Sequence, residues 1–252
     1  MQEDVLPPRF ERVLGVSRQR EPLVHDENGL VTRLIEWASL ITAAALLFYQ
    51  IARLGLAPQV WHWWVLPVAI AGMLAADLIS GLVHWTADTW FEETMPILGR
   101  RFLRPFRVHH VNPADFLRRD FVDTNGDVSM LTIPILAASF WLPLDVASGQ
   151  AAVVFLVALC AAVIPTNQVH QWAHMSDPPP VICWLQRYNL ILSRAEHSRH
   201  HVAPFTTNYC IALGWCNSVL SAIRFFPRLE WMVSRLTKIK PRTDDTHFQA
   251  VV

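Results

Sequence analysis

Eight of the 11 histidines occur in short sets whose spacing is typical of metal chelation. The two histidines of HQWAH are four positions apart, so their side chains share one face of a helix. HWTAD has the same interval with a carboxylate, Asp88, in the second position, and HSRHH combines intervals of three and four. The eight histidines are His84, His109, His110, His170, His174, His197, His200 and His201. The pattern predicts that they bind metal together, with Asp88 as the candidate ninth ligand.

Eight imidazoles are more than one metal ion can use, because an ion offers about four to six positions. The sequence therefore predicts two metal ions. No cysteine accompanies the histidine sets and oxygen ligands are few, which disfavours zinc-ribbon, calcium and magnesium sites. Iron fits this ligand set best, and zinc is the alternative.

Other polar residues close to the histidines in sequence could orient the ligand imidazoles through hydrogen bonds. The candidates are Asp120, Asp123, Asp127 and Asn167. Asp120 and Asn167, together with Asp88, form the predicted cofactor-binding set. DTNGD is also an ordinary Asn-Gly turn signal. Asp77, seven residues before His84 on the same helix face, has two open roles: orienting a ligand, or a hydrogen bond between packed helices.

The composition indicates the elements that must position these residues. Hydrophobic residues make up 52% of the 252-residue chain and charged residues only 17%, where a soluble domain has about 25% charged residues. Lys plus Arg equals Asp plus Glu at 21 each, so no net charge attracts the chain to nucleic acid. The composition therefore predicts a small membrane protein.

Four apolar segments approach the roughly 20 residues that a helix needs to cross the hydrocarbon layer. They are Leu34–Leu56, Trp63–Trp85, Val128–Leu144 and Ala151–His170. Short connections within the first and second pairs predict two antiparallel helix hairpins. Tyr209–Phe226 is apolar but interrupted by Asn217 and Arg224, which predicts an interfacial or re-entrant helix. The expected fold is an all-α membrane protein with about four transmembrane helices in two hairpins, a cytoplasmic histidine-rich cap and an interfacial helix.

The basic residues predict the orientation of these helices. Of the 21 Lys and Arg residues, all except Arg53 fall in the N-terminal tail, the central loop or the region after the fourth span. Because cytoplasmic segments collect Lys and Arg, both termini and the histidine sets are expected on the cytoplasmic side of a bacterial inner membrane or endoplasmic reticulum. The predicted organisation is a flexible cytoplasmic tail over 1–33, an integral-membrane domain over 34–245 and a C-terminal tail over 246–252.

The histidine sets and their surroundings resemble a known family. The segments that carry the likeness are DLISGLVHWTADTWF (77–91), RPFRVHHVNPADFLRRDFVDTNGD (104–127), TNQVHQWAH (166–174), HSRHHVAPFTTNYCIALGWCN (197–217) and the closing KPRTDD. Taken in order, they are similar to the lipid desaturase domain of the Kua family. The likeness covers roughly residues 77–245.

The resemblance implies a non-haem di-iron enzyme that uses O2 and two electrons to remove hydrogens from a lipid C–C bond. It also implies an electron donor such as a b5-type cytochrome, or a ferredoxin with its reductase. The segment RRDFVDTNGD is similar to the branch that converts ether phosphatidylethanolamine, plasmanylethanolamine, to the vinyl ether of plasmalogens. A plant branch, which desaturates an acyl chain of phosphatidylglycerol, is the alternative.

Three other classes remain as rivals on the residues alone. A b-haem electron carrier would need histidines that face each other across a porphyrin within the spans. A membrane zinc hydrolase would use three protein ligands and a water for each metal. A non-catalytic adaptor would have no need to retain all eight histidines. The tight HxxxH and HxxHH sets at one membrane edge favour chelation over a haem sandwich.

Overall fold

The computed structural model describes residues 29–91, 95, 103–111, 116–202 and 204–242, and within this part the regular structure is entirely helical. This confirms the predicted all-α fold class. The helices are α1 (Leu30–Gly55), α2 (Val65–Thr89), α3 (Arg104–Val111), α4 (Phe121–Ala138), α5 (Ala147–Val163), α6 (Thr166–His174), α7 (Pro180–Arg187), α8 (Arg194–His200), α9 (Asn217–Ala222) and α10 (Phe225–Thr237). Short 3₁₀ turns occupy Pro58–Val60 and Ser139–Trp141.

Three stretches of the described part are long and apolar enough to cross a membrane: α1, α2, and α5 continued by α6. They coincide with three of the four predicted spans and identify a membrane protein. The remaining predicted span, Val128–Leu144, falls mainly on α4. The first half of α4 contains Asp123, Asn125 and Asp127, and the helix ends at Ala138. Its passage across the membrane stays a prediction.

The helices of each predicted hairpin pack mainly against helices of the other one, α1 along α4 and α2 along α5. Glycine permits both close approaches. A Cβ atom at Gly126 of α4 would lie 2.6 Å from Cβ of Glu36 in α1, and one at Gly72 of α2 would clash with the carbonyl oxygen of Phe155 in α5. Closeness in sequence predicts packing between the two helices of one hairpin. The shapes of the helix surfaces instead favour packing between helices of different hairpins.

Arg53, the one basic residue away from the others in the predicted topology, stabilises the end of α4. Its guanidinium donates to the carbonyl oxygens of Ser139 at 3.1 Å and Leu142 at 2.7 Å. Gln50, one turn earlier, donates to the Ser139 hydroxyl at 2.6 Å. These two carbonyls belong to the 3₁₀ turn that follows α4 and to the residue just after it. These bonds explain why Arg53 lies apart from the other basic residues.

The predicted helix over Tyr209–Phe226 is wrong in its position. Residues 209–216 form an irregular, mostly buried segment, called here the 209–216 loop, and helix resumes only at Asn217. A buried loop needs partners for its backbone N–H groups, and side chains of α2 supply them. The amphipathic helix begins later, at Phe225, and packs Phe226 against Trp85 of α2.

Both predicted tails fall largely outside the described residues. The structure describes the chain from residue 29, and the last residues of the predicted tail, Leu30–Arg33, already belong to the first turn of α1. Residues 246–252 lie beyond the described part. The domain limits therefore stay predictions.

Candidate metal centre

The structure brings all eight histidines of the chelating sets together with Asp88, in two adjacent groups. Within each group, one ligand atom from every residue lies within 4.8 Å of all the others. The five-histidine group consists of His109, His170, His174, His197 and His201. The histidine–aspartate group consists of His84, Asp88, His110 and His200. The nine residues come from α2, α3, α6 and α8 and from His201, immediately after α8.

The five-histidine group directs its Nε2 atoms towards one point. Neighbouring Nε2 atoms are 2.7–3.4 Å apart; the shortest distance joins His174 to His197, and the His170–His197 distance is 2.8 Å. Imidazole nitrogens without protons repel one another at such distances unless a cation lies among them. The donor set therefore fits a transition-metal ion.

The histidine–aspartate group has a carboxylate at its centre. Oδ2 of Asp88 lies 3.3 Å from Nε2 of His84, 3.5 Å from Nε2 of His110 and 3.4 Å from Nε2 of His200. Nε2 of His84 and both oxygens of Asp88 are buried and have no hydrogen-bond partner of acceptable geometry in the described part. A buried carboxylate without partners is costly. A metal ion at this point would satisfy both the carboxylate and the imidazoles.

Backbone carbonyls determine which nitrogen of two imidazoles in the histidine–aspartate group is available to bind a metal. Nδ1 of His84 lies 3.1 Å from the carbonyl oxygen of Tyr209, and Nδ1 of His200 lies 2.8 Å from that of Thr207. A carbonyl only accepts, so each Nδ1 carries the proton and donates it. The Nε2 atoms of these neutral imidazoles consequently present lone pairs to the group, as metal ligands must.

Consecutive histidines link the two groups. His109 and His110 lie in the last turn of α3, and His200 and His201 lie at and just after the end of α8; in each pair one residue joins one group and the second joins the other. Adjacent residues of a helix point about 100° apart, since a turn takes about 3.6 residues. The HH doublets can therefore supply two neighbouring metal ions from one helix end.

Asp77 and Ser80 of α2 hold the 209–216 loop, which contains the carbonyl that bonds His84. The carboxylate of Asp77 accepts backbone N–H groups from Leu213 at 2.7 Å, Gly214 at 2.8 Å and Cys216 at 2.8 Å. The Ser80 hydroxyl accepts two more, from Ile211 and Ala212. The described side-chain bonds of Asp77 thus go to the loop, and neither to a histidine of the two groups nor to another helix.

A second position in α2 also depends on the close approach of this loop. A Cβ atom at Gly81 would lie 2.5 Å from Sγ of Cys210. The side chain of Asn217 pairs with both backbone groups of Cys210, at 2.9 Å each. Residue 81 thus has no room for a side chain while the loop stays in place.

Glutamine side chains, which the sequence analysis did not single out, anchor the wall of the five-histidine group. The Gln171 amide donates to the carbonyl oxygens of Phe116 at 2.9 Å and Arg119 at 3.1 Å, and accepts from Gln168 at 2.8 Å. The Phe116 ring centroid lies 5.0 Å from that of His170. The position of Gln171 directly after His170 in HQWAH was a signal for this role. An amide buried beside a metal-binding candidate needs hydrogen-bond partners.

Aromatic rings enclose the rest of the centre. Phe205 stacks on His110 with ring centroids 4.9 Å apart, and Tyr209 lies 5.0 Å from His200. Phe205 is buried and has a φ of 58°, a left-handed conformation that costs energy for a bulky residue. Such strain persists where packing over-determines the geometry, as the stack on His110 does here.

Burial favours the neutral form of three imidazoles outside the membrane-spanning segments. It lowers the pKa of His109 and His197 well below the ordinary 6.5, and that of His201 also falls; the neighbouring imidazoles lower all three further. Neutral imidazole is the form that binds metal. The lowered pKa values therefore suit these three residues to coordination.

The remaining predicted candidates have other described partners. Asp120 begins α4 by accepting from the backbone N–H groups of Val122 and Asp123, and it forms two bonds with Arg33, at 2.6 and 3.1 Å. The Arg33 guanidinium lowers the pKa of Asp120. Asn167 donates to the carbonyl oxygen of Thr124 at 2.9 Å. Neither Asp120 nor Asn167 has a described hydrogen bond to a ligand histidine.

Asp123 and Asp127 lie in the first half of α4. Burial raises the pKa of Asp123. Both carboxylates are near Glu36 of α1, so the structure places them at the α1–α4 contact. Their predicted role in orienting ligand imidazoles stays a prediction.

The fold and the site together define an all-helical membrane protein with two adjacent histidine-rich groups suited to metal ions. Residues 73–244 match the family model described as the lipid desaturase domain. The chain belongs to the lipid desaturase family, which confirms the resemblance and the prediction of an oxidoreductase. The family implies a lipid substrate.

Curated relatives cover most of the chain. It is 38% identical over 218 residues to plasmanylethanolamine desaturase of Myxococcus xanthus, covering 86% of this chain and 78% of that protein. It is 39% identical over 221 residues to plasmanylethanolamine desaturase 1 of Mus musculus, covering 84% and 81%. The chloroplastic fatty acid desaturase 4 of Arabidopsis thaliana is 33% identical over 177 residues, covering 69% and 53%. No solved structure matches the chain significantly.

Proposed function

We propose that this protein is an O2-dependent di-iron desaturase that converts the 1-O-alkyl chain of plasmanylethanolamine to the vinyl ether of a plasmalogen. The observation that carries the proposal is the convergence of eight histidines and Asp88 into two adjacent groups. The substrate follows from the two relatives named plasmanylethanolamine desaturase, of which the chain covers about four fifths.

The proposed reaction balances with O2 as oxidant. The alkyl chain loses one hydrogen from each of its first two carbons, counted from the ether oxygen, which provides two electrons and two protons. An external donor supplies two more electrons, two protons come from solvent, and O2 leaves as two molecules of water. Two iron ions held by the two groups would supply the oxidising power that protein acids and bases lack.

In this proposal the residues of the chain bind the metal ions, orient the imidazoles and shield the centre from water. The carbonyls of Tyr209 and Thr207 hold protons on Nδ1 of His84 and His200, which keeps Nε2 directed into the centre. Phe116 and Phe205 pack against ligand rings and exclude water from them. Asp88 contributes the one carboxylate of the two groups, and its charge offsets that of a bound cation.

The protein's place in the membrane is part of the proposal. We infer a multi-pass arrangement with both groups on the cytoplasmic side, because Lys and Arg concentrate in the segments next to the histidine sets. The membrane is a bacterial inner membrane or the endoplasmic reticulum. An electron donor, such as a b5-type cytochrome or a ferredoxin with its reductase, would deliver electrons there.

Desaturation of an acyl chain, for example in phosphatidylglycerol, is the second candidate. The observation behind it is the 33% identity to fatty acid desaturase 4. This match covers less of the chain than the two plasmanylethanolamine desaturases do. The ether lipid is therefore the proposed substrate.

Lipid analysis distinguishes these substrates. The full-length protein would be expressed in cells that contain plasmanylethanolamine but no plasmalogen, with His174→Ala as the inactive variant and His62→Ala as the matched control. His62 is exposed and outside both groups. We expect acid-labile vinyl ethers with the wild type and His62→Ala only. A new acyl double bond without vinyl ethers would refute the substrate, and vinyl ethers with His174→Ala would refute the ligand assignment.

Metal analysis of the purified protein tests the cofactor. The expected result is about two iron ions per chain without the Soret absorption of haem. A haem spectrum would indicate the electron-carrier alternative, and two zinc ions without iron would indicate the hydrolase alternative. His200→Ala should lower the metal content, because water does not reproduce the geometry that a lost imidazole provided.

A further inference from the structure

The helix that carries His84 and Asp88 is closed by a residue from the far end of the chain. The backbone N–H of Arg242 donates to the carbonyl oxygen of Thr89 at 2.9 Å. Its guanidinium donates to the carbonyl oxygens of Asp88 at 2.9 Å and Ala87 at 3.5 Å. Arg242 thus bonds three successive carbonyls at the end of α2, 154 positions after Asp88.

These three carbonyls are in need of partners. The last carbonyls of an α-helix have no partner within the helix and form the negative end of its dipole. Here the carbonyl of Thr86 accepts from the N–H of Trp90, and Arg242 bonds those that follow. Asp88 lies in this last turn, where helices fray first. Any fraying would move its carboxylate away from His110 and His200.

The packing of α10 brings Arg242 to this position. Phe226 and Leu229 of α10 pack with Trp85 and Trp90 at the end of α2. The helix ends at Thr237, and Lys238 after it adopts a left-handed conformation with a φ of 63°. The segment 239–242 then returns to α2, where the N–H of Arg242 meets Thr89.

We propose that Arg242 is a positioning residue for the histidine–aspartate group: it closes the last turn of α2 and so holds Asp88 against the other ligands. The inference rests on the proposed metal centre. Arg242 acts through the backbone of Asp88, and one guanidinium nitrogen, Nη1, donates both side-chain bonds. A lysine keeps the charge but not the planar guanidinium, so it would restore these bonds only in part.

The test uses the full-length protein and two readouts besides activity: metal content, and hydrogen exchange of the amides at the end of α2. We expect Arg242→Gln to weaken metal binding at the histidine–aspartate group by about 10 to 100-fold, the scale for residues that orient ligands. Exchange of the Trp90 amide should accelerate. Arg242→Lys should fall between Arg242→Gln and the wild type. Lys240→Gln, exposed in the same segment, should match the wild type.

Double variants test whether Arg242 affects metal binding through the histidine–aspartate group alone. Arg242→Gln added to Asp88→Asn should cause little further loss of metal, because both changes affect the same group. Added to His174→Ala, it should remove metal from the group that the His174 change leaves intact. Equal loss from both groups, or wild-type metal binding and exchange in Arg242→Gln, would overturn the inference. Failure of the wild type to bind metal would instead refute the proposed function.

Discussion

The replacement Asp77→Asn tests how the buried carboxylate of α2 supports the site. One oxygen, Oδ1, accepts from Leu213 and Gly214, and the other, Oδ2, accepts from Cys216. Asparagine retains one oxygen for the first two N–H groups. Its NH2 group would then face the N–H of Cys216, donor against donor. Because Asp77 is fully buried, water cannot replace the lost acceptor.

The cost can be worked out from these three bonds. A hydrogen bond to a charged group contributes about 1.5–3 kcal/mol, and a buried donor left without a partner costs about 1–3 kcal/mol. Both figures partly describe the same lost bond, so they are not added in full. The free energy of unfolding should therefore fall by about 2–4 kcal/mol. A net stability of about 5–15 kcal/mol leaves the variant folded. The expected decrease in Tm is on the order of 10 °C.

The Asp77→Asn variant should also bind metal less tightly. The 209–216 loop contains the Tyr209 carbonyl that fixes His84, so a displaced loop weakens the histidine–aspartate group, by about 10 to 100-fold in affinity. The assays are thermal unfolding in detergent and metal content after dialysis. Asp145→Asn, exposed in the connection between α4 and α5, is the matched control. A Tm within about 2 °C of the wild type would refute the reasoning.

The remaining predictions concern both groups and the far end of the bundle. Asp88→Asn should lose about one metal ion per chain, measured by elemental analysis, whereas retention of both would exclude its carboxylate as a ligand. Gln171→Ala should release Phe116 and lower activity by about 10 to 100-fold at matched protein level; unchanged kinetics would show that this anchor is dispensable. Arg53→Gln should lower Tm but leave metal content unchanged, since Arg53 bonds the end of α4. The metal-free protein should lose stability as the pH falls below about 6.5. The five-histidine group contains histidines whose pKa is lowered in the folded protein, so the unfolded chain binds protons first. A Tm that does not change between pH 7 and pH 5 would contradict this.

The set of candidate ligands was predictable from the sequence because chelation by helices uses fixed short intervals. Intervals of three or four, as in HQWAH, HWTAD and between His197 and His201 of HSRHH, place two side chains on one helix face whatever the fold. The apolar spans were equally local, since length and composition alone indicate them. For this reason the all-α membrane fold and the nine metal-binding candidates are predictable from the sequence.

The division of ligands between the two groups depends on tertiary packing. HH and HSRHH each contribute to both groups, and their spacing does not say which histidine joins which group. The roles of Asp77 and Arg242 likewise depend on contacts with distant segments, the 209–216 loop and the end of α2. The candidate ligand types and the apolar helices are local properties, because they follow from neighbours along the chain. The pairing of helices depends on how distant surfaces fit together. The irregular loop in place of the expected helix and the closure of α2 depend on distant partners for backbone groups.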